Sequence, residues 1–493
     1  MSRSWLRRLL AALGDRVGAV FKRRDEFDLT DGDIGRPLLY LSLPIVITNL
    51  LHTAYNLVDT IWLGRYSTEA LAAISFAFPV VFFLISLGLG VAIAGSILVA
   101  QNVGSGDEGR AEFAASQTVT YATIASLFLG AFGYVAVGDI LALLGATGSV
   151  LTGATAYLQV VSLGMVFMFA FFVFMSLMRG YGDTITPMVV MFVTVVVNVV
   201  LDPFLIFGWG PFPELGVVGA AYATVFSRAL ASVIGMAIML SGVRGVRIHP
   251  GRMVPDPAFL RKLVRIGVPA SVEGTGNAVA VNLMLVIVGT FPTVVVAAYG
   301  VGVRLFAVIF LPAIAVGRGV ETMAGQNIGA GKEDRAGSTT RFAGKAMFAI
   351  LAAVGAVVWI VAGDIVRVFS DNPDVVEIGR LFLRYVAPTF GFTGVFHAYK
   401  GGFRGAGRTL TAAVISIAVL GVIRLPVAWV ASRPFGHEGI WLAFAVSNVA
   451  GAAIGYGWYR RGRWRDADLT EDPNARGPRG VSTDADGEPT VDD

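Results

Sequence analysis

Twelve long apolar segments dominate this chain and limit what it can fold into. A helix needs about 20 residues to cross a bilayer, and segments of that length lie near 38–64, 70–101, 113–137, 154–178, 186–208, 216–240, 262–290, 294–325, 340–362, 375–399, 409–431 and 438–459. They do not alternate apolar and polar residues, so the strands of a membrane barrel are not expected. Of the 493 residues, 55% are hydrophobic and 15% are charged, whereas an ordinary soluble domain is about 25% charged. These features predict an all-α integral membrane protein with twelve transmembrane helices.

The sequence also repeats itself at a fixed offset of 225 residues. Gln101-Asn-Val-Gly-Ser-Gly106 returns as Gln326-Asn-Ile-Gly-Ala-Gly331, and Arg179-Gly-Tyr-Gly-Asp-Thr184 returns as Arg404-Gly-Ala-Gly-Arg-Thr409. Two separate motifs at one ungapped offset indicate a duplication. Each half contains six spans, an even number, so both halves enter the membrane from the same side. The prediction is two parallel six-helix repeats, an N-lobe and a C-lobe, around a central cleft.

This duplication divides the chain into five parts. The N-terminal segment is basic and carries Trp5, Leu9 and Leu13 at helical spacing, which predicts an amphipathic helix on the membrane surface, with a disordered segment as the alternative. From position 466 onward, nine acidic residues face two arginines, which predicts a disordered acidic tail. The parts are the N-terminal segment 1–36, the N-lobe 37–240, a cytoplasmic linker 241–261, the C-lobe 262–460 and the tail 461–493.

The basic residues of the loops predict the orientation in the membrane. With the N-terminus inside, the inner loops receive most arginines and lysines, including those of the linker and the cluster Arg460-Arg461-Gly-Arg463. The outer loops keep few, such as Arg65, Arg367 and Arg433. Positive charge is enriched on the cytoplasmic side of membrane proteins. We therefore expect a multi-pass protein of the cell membrane with both termini in the cytoplasm.

The first span carries an unusual polar stripe. Asn49, His52, Asn56 and Asp59 are three, four and three residues apart, a spacing that places them on one face of a helix. A charged carboxylate at the bilayer centre costs roughly 2.5–3.5 kcal/mol or more, and the position of Asp59 toward the outer end lessens this cost. The stripe is expected to face the protein interior or a wet cavity. For His52, simple helix–helix contact is the alternative.

A second acid, Asp202, follows Asn198 by four residues in the fifth span. With Asn198, Asn56 and Thr224, the two aspartates would offer oxygen ligands to a small hard cation. Sodium is therefore a candidate ligand of Asp59, Asp202, Asn198 and Thr224. Two neighbouring carboxylates away from water can instead take up a proton. A third alternative is that each aspartate only bonds a neighbouring helix.

The two lobes have diverged in their acidic residues. At the repeat offset Asp59 becomes Met284, and the acid of the second lobe is Glu273 in the seventh span. Ion coupling is thus expected mainly in the N-lobe. The residues expected to line the substrate cavity between the lobes are Tyr55, His52, Asn49 and Glu273. The repeated arginines, Arg179 and Arg404, are expected to play similar structural roles at equivalent inner turns.

The same sequence lacks the marks of other protein classes. It contains no cysteine, which excludes disulfides, thiolate metal sites and cysteine nucleophiles. We find no catalytic or cofactor signature, so we expect no enzymatic activity and no cofactor beyond a coupling ion, H⁺ or Na⁺. A passive channel would not need diverged lobes. Small organic molecules and membrane lipids are the expected partners of a monomeric protein, and nucleic acid is not expected to bind.

Taken together, the motifs "AYNLVDTIWLG", "QNVGSG", "RGYGDT" and "NVVLDPFLIFG" resemble those of the multidrug and toxic compound extrusion (MATE) family, closest to its prokaryotic DinF-like branch. The resemblance covers roughly residues 36–460. It implies efflux of bulky, often cationic and aromatic compounds (xenobiotics) in exchange for H⁺ or Na⁺ by rocking of the two lobes. A lipid-linked oligosaccharide flippase of the same superfamily is the alternative.

The resemblance also assigns residues. Asp59, Asn198 and Asp202 match the family's N-lobe cation site, and Tyr55 and Thr224 match residues that line it. His52 stands where archaeal relatives often carry glutamine, which leaves the coupling ion open.

Overall fold

The computed structural model describes residues 21–22, 24–465 and 469. The predicted amphipathic helix at the N-terminus and nearly all of the predicted acidic tail lie outside these residues. Every regular element in the described part of the chain is helical. This confirms the all-α prediction.

Seven α-helices form the first half of the described chain. They are α1 (Gly35–Tyr66), α2 (Thr68–Gly104), α3 (Glu108–Leu143), α4 (Gly148–Leu163), α5 (Met165–Tyr181), α6 (Ile185–Phe207) and α7 (Gly216–Ser241). Nine α-helices form the second half, as far as the structure describes it. They are α8 (Pro257–Val288), α9 (Thr293–Gly329), α10 (Glu333–Ile360), α11 (Ala362–Arg367), α12 (Pro373–Val386), α13 (Phe390–Gly405), α14 (Thr409–Ile417), α15 (Leu425–Phe435) and α16 (His437–Arg460).

Three of the twelve predicted spans are interrupted. The fourth is the pair α4 and α5, bent by 56° beside Gly164, where an added Cβ would lie 2.4 Å from Val225 of α7. The tenth is α12 and α13, joined by a short 3₁₀ turn, and the eleventh contains a π-helix between α14 and α15. Ten helices of the described chain are long and apolar enough to cross a membrane, and the bent pair makes an eleventh.

Local sequence explains where the helices begin and end. The Asp107 carboxylate accepts the Arg110 amide at the start of α3, and Asp256 caps α8, whose first residue is Pro257. A side-chain cap accepts hydrogen bonds from backbone amides that have no partner inside the helix. Proline at the first helical position has no amide hydrogen and so needs no such partner. Gly182 ends α5 in the left-handed conformation, which only glycine adopts at no cost.

The chain forms two lobes, α1–α7 and α8–α16. Among the described residues, one apolar cluster lies within the first lobe and two lie within the second, and two further clusters join residues of both lobes. The lobes meet where α1 packs on α9, α2 on α8 and α2 on α9. At the repeat offset α1 corresponds to α8 and α2 to α9, so exchanging the lobes maps this interface onto itself. We call the side of the bundle that carries residues 242–256 the linker side, and the opposite side the far side.

The repeated glutamine motifs close the linker side. Gly104 and Gly329 are repeat partners, and a Cβ on either would lie 1.9 Å from the backbone oxygen of the other lobe's glutamine, Gln326 or Gln101. The Gln101 amide donates to the Gly405 carbonyl at 2.9 Å. Gln326, its repeat partner, donates to the Gly180 carbonyl at 3.0 Å. These pairs form a symmetric seam, the linker-side seam, in which the backbones of both lobes touch.

The linker itself is bound to the N-lobe. The Gln117 side chain of α3 donates to the carbonyls of Arg252 and Val254, both at 2.7 Å. The Tyr121 hydroxyl donates to the Asp256 carbonyl at 2.7 Å. Hydrogen bonds thus hold the linker against α3 as far as Asp256, the residue that caps α8.

Candidate functional site

The two acids of the N-lobe spans come together inside the lobe. Asp59 of α1 is 8% exposed and Asp202 of α6 is 0% exposed. Their carboxylates lie within hydrogen-bonding reach of each other. The two aspartates come together because α1 packs against α6. This packing turns the polar stripe of α1 toward the protein interior, where its side chains avoid the cost of facing lipid.

Polar side chains surround this pair. The Asn198 amide, one turn before Asp202, donates to the Asp202 carboxylate at 3.3 Å. Tyr55 lies one turn before Asp59 on α1, and its hydroxyl contacts the Thr224 hydroxyl of α7 at 2.7 Å. Tyr157 of α4 approaches the same threonine. The structure thus brings together Asp59, Asp202, Asn198, Tyr55 and Thr224; we call these five residues the N-lobe site.

Three oxygens of this site lack a hydrogen-bond donor among the described residues. They are one carboxylate oxygen each of Asp59 and Asp202 and the amide oxygen of Asn198, and all three are buried. Buried polar atoms are nearly always paired, and two carboxylates in contact repel each other unless a positive charge lies between them. The site therefore supplies what a proton or a small hard cation needs.

Arg228 is a buried cation that sequence reasoning missed. It lies on α7 one turn after Thr224, 5% exposed, with its guanidinium 4.9 Å from the Tyr55 ring and 5.2 Å from the Phe171 ring. No ion pair within the described chain joins it to a carboxylate, although it acts electrostatically on Asp59. The available signal was an arginine in an apolar span, which marks a functional candidate by default.

The charges of the site leave room for one more cation. Two carboxylates and the Arg228 guanidinium sum to one negative charge, so a single proton or monovalent ion would neutralise the group. No cluster of three or more His, Cys, Asp or Glu side chains that could hold a metal ion occurs among the described residues. The ligands are oxygens, which suit sodium better than a transition metal.

Replacing Arg228 by Met should strengthen sodium binding about tenfold. A positive charge within ~10 Å costs a bound cation roughly 1–2 kcal/mol at an effective dielectric constant of about 20, and 1.4 kcal/mol is tenfold in affinity. Equilibrium dialysis with tracer sodium measures the effect. Arg228→Lys, which keeps the charge, is the matched control, and equal sodium affinity in Arg228→Met and wild type would contradict the electrostatic role.

The other residues of the α1 stripe lie apart from the acids. The Asn56 amide and the His52 imidazole Nδ1 are 3.3 Å apart, and the His52 ring lies 6.2 Å from the Tyr55 ring. No hydrogen bond joins Asn56 to either aspartate in the described chain. Asn49 lines a separate cavity toward the linker side. The polar stripe of α1 thus reaches from the cavity at Asn49 to the N-lobe site at Asp59, and His52 and Asn56 lie between the two.

Glu273 is enclosed by cations of the C-lobe. Its carboxylate lies 2.7 Å from Arg404 and 3.2 Å from Lys400, and it accepts a hydrogen bond from Ser416 at 2.8 Å. The side chain is 1% exposed, and it is not among the residues that line the cavity near Asn49. Its immediate role in this conformation is to neutralise buried cations.

No acid occupies the positions of the C-lobe that correspond to Asp59, Asn198 and Asp202. These positions hold Met284, Ile423 and Val427, and Met284 is buried in an apolar cluster. The N-lobe site thus has no counterpart at the corresponding positions of the C-lobe.

The chain resembles known proteins in family, in sequence and in fold. The family model described as MatE matches residues 44–204 and 269–430, which are corresponding parts of the two repeats. "Probable multidrug resistance protein YpnP" of Bacillus subtilis (strain 168) is 29% identical over 450 residues, covering 90% of this chain and 98% of that protein. The "FAD transporter" of Shewanella oneidensis is 29% identical over 434 residues, covering 86% and 94%.

A solved structure has the same fold. The MOP superfamily transporter from Pyrococcus furiosus, described under "Reverse polarity of binding pocket suggests different function", superposes with a TM-score of 0.80. It is 24% identical and covers 90% of this chain and 98% of its own. The twelve-helix, two-lobe arrangement is therefore shared. The DinF-like branch stays a prediction.

Proposed function

This chain belongs to the MatE family of multi-pass membrane transporters, and from that membership we propose that it is an ion-coupled multidrug exporter. Its substrates are small organic molecules with bulky aromatic bodies, often cationic, in line with the multidrug resistance name of the Bacillus subtilis relative. The coupling ion is H⁺ or Na⁺. One observation carries the proposal: the contact of Asp59 and Asp202 around three buried oxygens that lack a donor.

Ion binding changes the charge of the N-lobe site. Without a bound ion, the two carboxylates repel each other inside an apolar lobe, where charge is weakly screened. A proton or sodium ion removes the repulsion, and the packing of α1 against α6 adjusts. Since α1 also packs on α9 of the other lobe, this adjustment can alter the contact between the lobes.

The described conformation is closed on the linker side. Export requires the linker-side seam to separate so that the substrate can enter from the linker side. The seam must close again before the substrate leaves on the far side. Rocking of the two lobes about the α1–α9 and α2–α8 contacts supplies this movement. In each cycle the ion enters from the far side and the substrate leaves there.

Orientation follows from the basic loops of the sequence. We place the linker side in the cytoplasm, the far side outside, and the protein in the cell membrane. Both termini are then cytoplasmic, and the ion moves inward while the substrate moves outward.

The flippase alternative gains no support from the relatives, which are described as multidrug resistance and FAD transport proteins.

The acids of the N-lobe are buried, so they attract a cationic drug only at short range. Cationic substrates thus depend more on the aromatic and apolar walls of the cleft than on a charged surface.

A transport assay tests the function directly. Purified protein in proteoliposomes is expected to move ethidium against its gradient when either a sodium or a proton gradient is imposed. The two gradients are applied separately, with an ionophore that collapses each as the control. Ethidium flux that is equal with and without both gradients would contradict ion coupling.

Protons and sodium should compete for the same oxygens. Tracer sodium is therefore expected to bind severalfold less tightly at pH 6 than at pH 8, because protonated carboxylates cannot bind the ion. The His52 ring lies 6.2 Å from the Tyr55 ring and is a second group that can bind a proton. The variant His52→Gln should therefore reduce the difference in sodium affinity between pH 6 and pH 8. Sodium binding that is equally tight at both pH values, and unchanged in His52→Gln, would contradict proton competition.

A further inference from the structure

A cavity between the lobes is lined by two arginines. It has a volume of ≈ 180 Å³ and lies between α1, α2, α5, the start of α6 and α9. Its polar walls include Arg179, Arg318, Thr48, Asn49 and Ser176, and its apolar walls include Phe172 and Met175. It lies apart from the N-lobe site, since none of Asp59, Asp202 and Asn198 lines it.

The repeat explains why Arg179 has no acid beside it. Its partner in the C-lobe, Arg404, lies 2.7 Å from Glu273 and 3.8 Å from Glu321. At the N-lobe positions that correspond to these two acids, the chain has Thr48 and Ser96. The duplication has thus kept the arginine and lost both carboxylates, so Arg179 and Arg404 are not equivalent, contrary to the expectation from sequence.

Nearby acids do not replace the lost partners. Asp183, the nearest acid in sequence, accepts hydrogen bonds from the Ile185 and Thr186 amides and the Thr186 hydroxyl at the start of α6. Glu321 lies 3.0 Å from Arg318. Within the described chain, no carboxylate forms an ion pair with Arg179.

The surrounding charges add to an excess of positive charge. Arg179, Arg318, Lys400 and Arg404 face two carboxylates, Glu273 and Glu321, which leaves two uncompensated positive charges near the cleft. Arg179 and Arg318 are partly exposed to this cavity, and a guanidinium binds carboxylate and phosphate groups through parallel hydrogen bonds. A cavity of this size holds such a group but not a whole drug-sized molecule, for which pockets are about 300–1,000 Å³.

We propose that Arg179 and Arg318 form a subsite for the anionic group, phosphate or carboxylate, of an aromatic substrate. Asn49 and Ser176 donate further hydrogen bonds to this group, while Phe172 contacts the adjoining apolar part, and the remainder of the substrate extends into the cleft. This inference rests on the proposed export function and widens its substrate class from cations to organic anions. The FAD transport name of a relative fits such a class.

Flavin binding without any ion gradient tests the subsite. Flavin mononucleotide and riboflavin differ only by a phosphate, and fluorescence titration of the protein in nanodiscs gives both affinities. We expect wild type to bind the mononucleotide at least tenfold more tightly than riboflavin. Arg179→Gln should reduce this preference to less than threefold through loss of mononucleotide affinity alone, and Arg179→Lys should restore part of it.

Controls separate the possible explanations. Arg110→Gln, which changes an exposed arginine in the first turn of α3, should leave the preference unchanged, and size-exclusion chromatography verifies that each variant is folded. Equal affinity of wild type for the two flavins, or an unchanged preference in Arg179→Gln, would overturn the proposal. Displacement of the mononucleotide by inorganic phosphate at equally low concentration would assign the cavity to the free anion instead, which also overturns it. Failure of ethidium efflux in wild type would refute the export function without altering these equilibrium affinities.

Discussion

Asp59→Asn and Asp202→Asn are each expected to lower ion-driven ethidium efflux at least a hundredfold. Asparagine has nearly the same shape as aspartate but cannot take up a proton at ordinary pH, and it offers a cation no negative charge. Because the two carboxylates contact each other inside the N-lobe, loss of either charge removes the site that senses the ion. The measurement is ethidium efflux from proteoliposomes under an imposed sodium or proton gradient.

Both variants should remain folded. Each substitution removes a buried charge that is costly in the membrane, so expression and elution on size exclusion should match wild type. Asp364→Asn is the control, because Asp364 is 74% exposed and paired with Arg367 on the far side. If both variants export at the wild-type rate, the assignment of the N-lobe site is wrong.

A disulfide across the linker-side seam should stop transport almost completely and reversibly. The double variant Ala100→Cys/Gly325→Cys joins α2 to α9, and a Cβ on Gly325 would lie 3.1 Å from the Ala100 Cβ. A shift of a few tenths of an ångström reaches the usual Cβ separation in disulfides, about 3.5–4.5 Å. Since substrate can enter only when the lobes separate here, the cross-link should hold the exporter closed on that side.

The native chain contains no cysteine, so the only disulfide is the intended one. Efflux is measured before oxidation, after oxidation and after reduction, and the two single-cysteine variants serve as controls. Oxidised double variant that still exports at the unoxidised rate would show that the seam need not open. Inhibition of a single variant to the same degree would show that the thiol, and not the cross-link, is responsible.

The sequence determined the membrane architecture. Span length and apolar composition depend on local properties, so the helical class, the approximate positions of the spans and the duplication could be read from the chain. The resemblance to the MATE family rested on short motifs, and the match to the MatE model over both repeats confirms it. Breaks inside spans were harder to predict, because the bend at Gly164 depends on the approach of Val225 from another helix.

For the functional residues, sequence reasoning identified the polar stripe and both aspartates but not all of their neighbours. Asn56 and Asp59 are one turn apart on the same face of α1, yet only Asp59 contacts Asp202, because the crossing of α1 and α6 decides which turn of each helix meets. The helical spacing specifies a face but not the point of contact. Arg228 was missed for a related reason: its position beside Tyr55 becomes visible only when α7 packs on α1.

The repeat offers the clearest division between sequence and tertiary structure. The alignment at 225 residues determined that Arg179 and Arg404 are partners and that Thr48 and Ser96 correspond to Glu273 and Glu321. Only the structure decided that these acids are the ones that neutralise Arg404, and thus that Arg179 faces a cavity without them. Ion pairs form between side chains on different helices, and their distances depend on how those helices cross, a quantity that no local pattern in the sequence contains.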